Sequence, residues 1–192
     1  MQSRSNAFAF FPVIALVAVL DRVTKAIAVR DLVPQHVAHD VLGSAVRFTL
    51  VHNPGAAFGL NLGAQSRWIF TALTVVALVI LGRLYRATVR GDRPRVLALA
   101  LVCGGAIGNL VDRLRSGLGV VDFIDVGIGD VRWPTFNVAD MAVSIGAILL
   151  AWVLWQEDQE PAVSAVRAPA EVGAANGAAN GAVIAADRGE LA

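Results

Sequence analysis

Long apolar blocks, rather than alternating faces, dominate the chain. Four of them approach or exceed the ~20 residues that a bilayer core requires: about 7–29, 68–85, 96–114 and 138–155. An amphipathic helix of a soluble protein keeps a polar stripe over such a length, and these blocks do not. The pattern predicts an α-helical integral membrane protein with four transmembrane helices, residues 1–156 forming one membrane domain. The first block has Arg4 before it and "AIA" (26–28) near its end, like a signal peptide. "DRVTK" (21–25) lies between the apolar core and that point, so the block reads as a retained span.

Two stretches between the blocks change period. "VRFTLVHN" (46–53) sets Val46, Phe48 and Leu50 against Arg47 and Thr49, the alternation of a strand with one apolar face. "NPGAAFG" (53–59) follows as a turn whose Asn-Pro-Gly would aim backbone donors at a partner. "GVVDFIDVGIGDVRWPTF" (119–136) reads as short β pieces around a glycine turn. A small β-sheet or extended region, drawn from about 31–66 and 115–136, is expected on the extracytoplasmic side. Residues 157–192 are Ala/Gly-rich and without apolar periodicity, and are expected to form a disordered cytoplasmic tail.

Composition agrees with a membrane protein: 56% of 192 residues are hydrophobic, 16% are charged and mean hydropathy is +0.63. A net charge of +1 without a basic, aromatic-interleaved cluster gives no sign of nucleic acid. The single Cys103 excludes an internal disulfide and a cysteine-based zinc site, and reads as a packed small residue. Basic residues set the orientation. "GRLYRATVRGDRPR" carries Arg83, Arg86, Arg90, Arg93 and Arg95, which marks this loop, and with it both termini, as cytoplasmic. Trp68 and Trp133 then fall near the outer interface, and Tyr85, Trp152 and Trp155 near the inner one.

Polar residues at membrane depth each need a partner, water or a function. Here they gather in the outer halves of the spans. Asp21 and Lys25 are i,i+4 and read as a structural pair. Asn109, Asp112 and Arg113 share a helix face, and Asp112 beside Arg113 fits either glue or chemistry. Asn137 and Asp140 open the last span, placing Asp140 roughly 5 Å below its start, where the helix N-terminus offsets part of the burial cost. Asp140 with Asp122 reads as chemistry: two acids without matched bases raise each other's pKa, which suits catalysis better than packing.

No serine has a nucleophile-elbow setting, and Ser144 in "VSIG" reads as packing. His36 and His39, at i,i+3, form no complete metal motif. Paired carboxylates remain: the ionised member activates water while the protonated one polarises a carbonyl. Spacing alone does not select Asp122 over Asp112 or Asp125.

"DRVTK", "NPGAAFG", "GGAIGNLVDR", "VVDFID" and "FNVAD", in that order, resemble the signature blocks of the lipoprotein signal peptidase (signal peptidase II) family. The resemblance implies an aspartic endopeptidase of the bacterial cytoplasmic (inner) membrane, working near the outer leaflet. Its substrates would be diacylglyceryl-modified prolipoproteins, cut just before the lipidated cysteine, and globomycin would inhibit it. It places the catalytic pair on Asp122 and Asp140. It gives Asn53, Gly55, Asn109, Asp112, Arg113 and Asn137 supporting or substrate-orienting roles, and leaves Asp21 and Lys25 to hold the bundle. It implies no metal and no cofactor, membrane lipid as a partner, and a monomer. Two alternatives stand beside it. "GIGD" (127–130) resembles the Gly-x-Gly-Asp of other intramembrane aspartic proteases, although a β-turn suits its polar setting better. A proton-relay transport subunit would need polar residues in the inner halves, which are almost purely apolar.

Overall fold

A computed structural model of the chain describes residues 4–55 and 63–167. The chain divides into two compact units, 1–151 and 152–192. The sheet, the site and the packing below belong to the first. Four helices, α1 (Arg4–Asp31), α2 (Ser66–Ala87), α3 (Arg93–Arg115) and α4 (Val138–Arg167), are long and apolar enough to cross a membrane. They coincide with the four apolar blocks, because a run of that hydropathy is stable at length only where lipid replaces water.

The last helix departs from expectation at its far end. It continues to Arg167 through "QEDQEPAVSAVR", where the sequence pattern predicts a disordered tail from residue 157. Loss of apolar character ends a span but not a helix, and Gln, Glu and Ala are strong helix formers. The rest of that tail, residues 168–192, lies outside the described residues, as do 56–62 of the "NPGAAFG" turn.

Helix α3 lies against α1, α2 and α4 and owes this to small residues. A Cβ added to Gly104 would sit 2.8 Å from Val17 Cβ in α1, and one on Gly105 would collide with the Ala139 carbonyl of α4. One on Gly108 would lie 2.6 Å from the Asp21 carboxylate. In lipid, apolar side chains gain little by meeting each other, so close backbone approach supplies the association. At one end of the bundle Asn6 donates to the Val89 carbonyl at 3.0 Å and accepts from Gly91 N at 3.1 Å. Phe10 stacks on Tyr85 with ring centroids 3.7 Å apart. The N-terminus and the basic α2–α3 loop therefore share an end, and the buried polar residues collect at the other.

There the chain forms a four-stranded antiparallel sheet in sequence order: β1 (Ala38–Leu42), β2 (Val46–Asn53), β3 (Val120–Ile128) and β4 (Val131–Arg132). "GIGD" lies in the β3–β4 hairpin, with Gly129 at φ +54° in its two-residue turn. That is a turn residue's conformation, as its setting suggests. The alternation expected of β2 does not persist. Phe48 pairs with Ile124 but Val51 pairs with Asp122, so three steps of β2 match two of β3. This bulge leaves Phe48 partly exposed and Thr49 buried.

Candidate active site

The site is built outward from the start of α4. Asn137 accepts a hydrogen bond from Asp140 N at 2.9 Å through its side-chain oxygen. Asp140 Oδ2 in return accepts from Asn137 N at 3.2 Å. This is a reciprocal capping box written with Asn and Asp, and it satisfies backbone donors that the first turn leaves over. Asp140 is thus held at the helix N-terminus, where a negative charge is favoured.

The capping residue also reaches across to the sheet. Asn137 Nδ2 donates to Asp122 Oδ1 at 2.7 Å, so one buried asparagine joins strand β3 to helix α4. Asn53 Nδ2 donates to the other oxygen, Asp122 Oδ2, at 3.1 Å. The β2 bulge makes this contact possible. A one-residue insertion transfers the rest of a strand to the opposite face, which brings Asn53 to the side of Asp122. Asn109 Nδ2 of α3 donates to Asp140 Oδ1 at 2.8 Å. Amide donors therefore answer all four oxygens of the pair. Burial pushes the Asp122 carboxyl up to about 7, and the nearby charge of Asp140 adds to the shift.

Asp125, on the same strand, has the opposite surroundings. Arg132 Nε donates to it at 2.8 Å, Arg47 Nε at 3.1 Å and the Thr49 hydroxyl at 3.2 Å. Burial alone would raise its pKa, but these hydrogen bonds outweigh burial and hold it below the usual carboxylate range.

Behind the pair lies a buried ionic cluster. Lys25 Nζ stands 2.8 Å from Asp21 Oδ2, Asp112 Oδ2 and Asn109 Oδ1. The expected Asp21–Lys25 pair is present, whereas the pairing of Asp112 with Arg113 is not. Asp112 turns to Lys25 and to Val121 N, because on α3 its direction differs from that of its sequence neighbour. Asp21 completes the arrangement by accepting from Ala139 N at 2.9 Å, inside the first turn of α4. Arg113 donates to the carbonyls of Asn109 and Gly55 at 3.5 and 3.4 Å. The Asn-Pro-Gly turn is described as far as Gly55. The Gly55 N–H turns inward to Asn53 Oδ1 at 3.0 Å, the local bond that an Asn side chain makes two residues on.

Asn53, Asn109, Arg113, Asp122 and Asp140 line one cavity of about 770 Å³. Gly55, Asp112, Asn137, Asp21 and Lys25 are not among its lining residues. Several lining residues, His52, Met141, Ser144 and Ile145 among them, escape the sequence reading as site residues. His52 keeps a buried Nδ1 without a partner among the described residues, as does Arg113 at Nε. Ser144, expected to be packing, also faces the cavity beside Met141 and Ile145. These three follow Asp140 at i+1, i+4 and i+5, and that helical spacing was the available signal.

The description "Signal peptidase (SPase) II" belongs to a family model that matches residues 13–156. The lipoprotein signal peptidase of Moorella thermoacetica is 45% identical over 140 residues, covering 72% of this chain and 87% of that protein. That of Paraburkholderia phytofirmans is 44% identical over 140 residues, with 71% and 79% covered. A bacterial membrane enzyme solved by the in meso method superposes with a TM-score of 0.70 at 30% identity, over 78% of this chain and 89% of the other. The chain belongs to the signal peptidase II family of membrane peptidases.

Proposed function

We propose that this bacterial membrane peptidase removes signal peptides from diacylglyceryl-modified prolipoproteins, with Asp122 and Asp140 as its catalytic pair. The cut falls just before the lipidated cysteine. The observation that carries this reading is the pair itself: two carboxylates on one cavity wall, bridged by Asn137 and, among the described residues, hydrogen-bonded by amides. Neutral donors favour the charged form of a carboxylate less strongly than a paired cation does, so a proton can still be exchanged in the reaction.

In the reaction, the ionised member of the pair takes a proton from water as its oxygen attacks the scissile carbonyl carbon. The other gives its proton to the carbonyl oxygen. The tetrahedral intermediate then collapses with cleavage of the C–N bond, a proton passes to the leaving amine, and no acyl-enzyme forms. The Arg113 Nε and His52 Nδ1, buried and without a partner among the described residues, stand in the wall along which a substrate backbone would lie. Met141, Val143 and Ile145 give the cavity an apolar flank suited to a substrate held in lipid. The basic α2–α3 loop supports cytoplasmic termini and an active site at the outer leaflet of the inner membrane. His, Asp and Asn supply all the polar chemistry this route needs, with neither metal nor cofactor.

Purified protein should cleave a diacylglyceryl-modified prolipoprotein and cut the unlipidated precursor much more slowly. Equal rates on both would sink the substrate assignment.

A further inference from the structure

The pair's donors are asymmetric, and the asymmetry starts at Lys25. A charged lysine offers protons and accepts none. Its three short contacts end on Asp21, Asp112 and the Asn109 side-chain oxygen. With that oxygen committed, the carboxamide of Asn109 has only its nitrogen to present to Asp140, 2.8 Å away. An amide nitrogen donates, so Asp140 Oδ1 must accept.

Asp122 also has two amide donors, Asn137 Nδ2 and Asn53 Nδ2, but the first of them is shared. Asn137 Nδ2 carries two protons and has three acceptors within reach: Asp122 Oδ1, the Val121 carbonyl at 3.2 Å and Asn109 Oδ1 at 3.1 Å. Asp122 lies on a strand and has no helix N-terminus beneath it, while Asp140 accepts a backbone N–H in the first turn of α4.

We propose that Lys25 is a positioning residue for the dyad: by fixing the Asn109 amide it keeps Asp140 ionised, as the base, and leaves the resting proton on Asp122. The inference rests on the catalytic pair proposed above and assigns each member its role. The raised carboxyl of Asp122 accords with it. The charged and titratable groups around the pair are Lys25 and Asp21 from α1, Asp112 and Arg113 from α3, and His52 from β2. On β3 itself, Asp125 is taken up by Arg47 and Arg132.

The test is the pH profile of kcat/KM on a diacylglyceryl-modified prolipoprotein, with His52→Gln run in parallel to identify any imidazole limb. The acidic limb reports ionisation of whichever member of the pair acts as base. Lys25→Met combined with Asp21→Asn and Asp112→Ala removes the cluster without stranding a charge. It frees the Asn109 amide to turn. Its acidic limb should rise by about one to two pH units, as loss of a hydrogen bond to a charged group implies. kcat at low pH should fall about tenfold or more with KM nearly unchanged, while Lys25→Arg, still a donor only, should keep the native limb. Should the triple variant not fold, Asn109→Ala leaves the ionic cluster in place and decides: its acidic limb must rise likewise. An unmoved limb in the folded variant overturns the proposal. Failure of the pair itself looks different, since Asp122→Asn or Asp140→Asn would then retain cleavage in otherwise native protein.

Discussion

Two sets of buried and half-buried carboxylates share the same end of the bundle and differ in what answers them. Asp21 and Asp112 close on the ammonium of Lys25, a cation as deeply buried as they are. Asp122 and Asp140 close on asparagines. A cation that fills a carboxylate's coordination holds its charge and makes it structure. An amide holds its geometry and favours the charged form less strongly than a cation does. Arg113 is near enough to bias the field but spends its bonds on carbonyls. The difference separates a clamp from a reactive pair more clearly than burial does, because Asp112 and Asp122 are 5% and 3% exposed, nearly the same.

The largest effect should come from the amide-held pair. Groups acting as one unit are non-additive, so Asp122→Asn, Asp140→Asn and the double variant should all fall to the same background, about a thousandfold or more below the native rate. Near-isosteric Asn should let each protein fold, to be checked by thermal unfolding. Multiplicative losses, with the double variant far below either single one, would mean that the two do not act together.

The cation-held set should instead fail in stability. Lys25→Met strands two buried carboxylates, which costs about 3–5 kcal/mol. Yield and thermal midpoint should drop together, and adding Asp21→Asn and Asp112→Ala should recover most of both. A Lys25→Met protein as stable as the native one would show that the cluster is no clamp.

Much of this contrast was legible before the fold, and the illegible part has a common cause. Spans follow from hydropathy, and the Asp21–Lys25 pair from i,i+4 spacing, because both are local. The Asn137–Asp140 spacing marks a helix start, and its capping box needs only those four residues. Asp112 misled because its partner lies on another helix, and i,i+1 neighbourhood with Arg113 says nothing about direction. Asn53 reaches Asp122 only through a bulge, which strand alternation assumes away. The choice of Asp122 over Asp112 and Asp125 came from resemblance to a family. Among the described residues, Asp122 is the one of the three with no cation hydrogen-bonded to it.

A pH dependence sharpens the comparison further. Asp122 has a raised folded pKa of about 7 against an ordinary 3.8. Between those values the native state binds more protons than the unfolded chain. Its contribution to stability is therefore full below the lower value and is lost as pH rises through the upper. Relative to the native protein, Asp122→Asn should gain thermal stability steadily from about pH 4 to about pH 7 and level off above that, on the order of a few kcal/mol at most. A flat difference across that range would mean that burial does not hold the Asp122 proton.

The smallest effect on cleavage should come from Asp125, three residues along the same strand. Its bonds to Arg132, Arg47 and Thr49 put it in the cation-held class, on the face away from the cavity. Asp125→Asn should leave cleavage within about twofold while weakening the sheet by about 1.5–3 kcal/mol, the value of a hydrogen bond to a charged group. Its pH sign is the reverse of that of Asp122. A depressed folded pKa contributes stability that is complete above the ordinary carboxylate value and disappears as pH falls through the folded one. The native protein should therefore lose its advantage over Asp125→Asn only in acid, just as it regains its ground against Asp122→Asn. Two aspartates on one strand would then report opposite slopes. If Asp125→Asn abolished cleavage in a stable protein, the division between clamping and reactive carboxylates would fail at the residue where it is most sharply drawn.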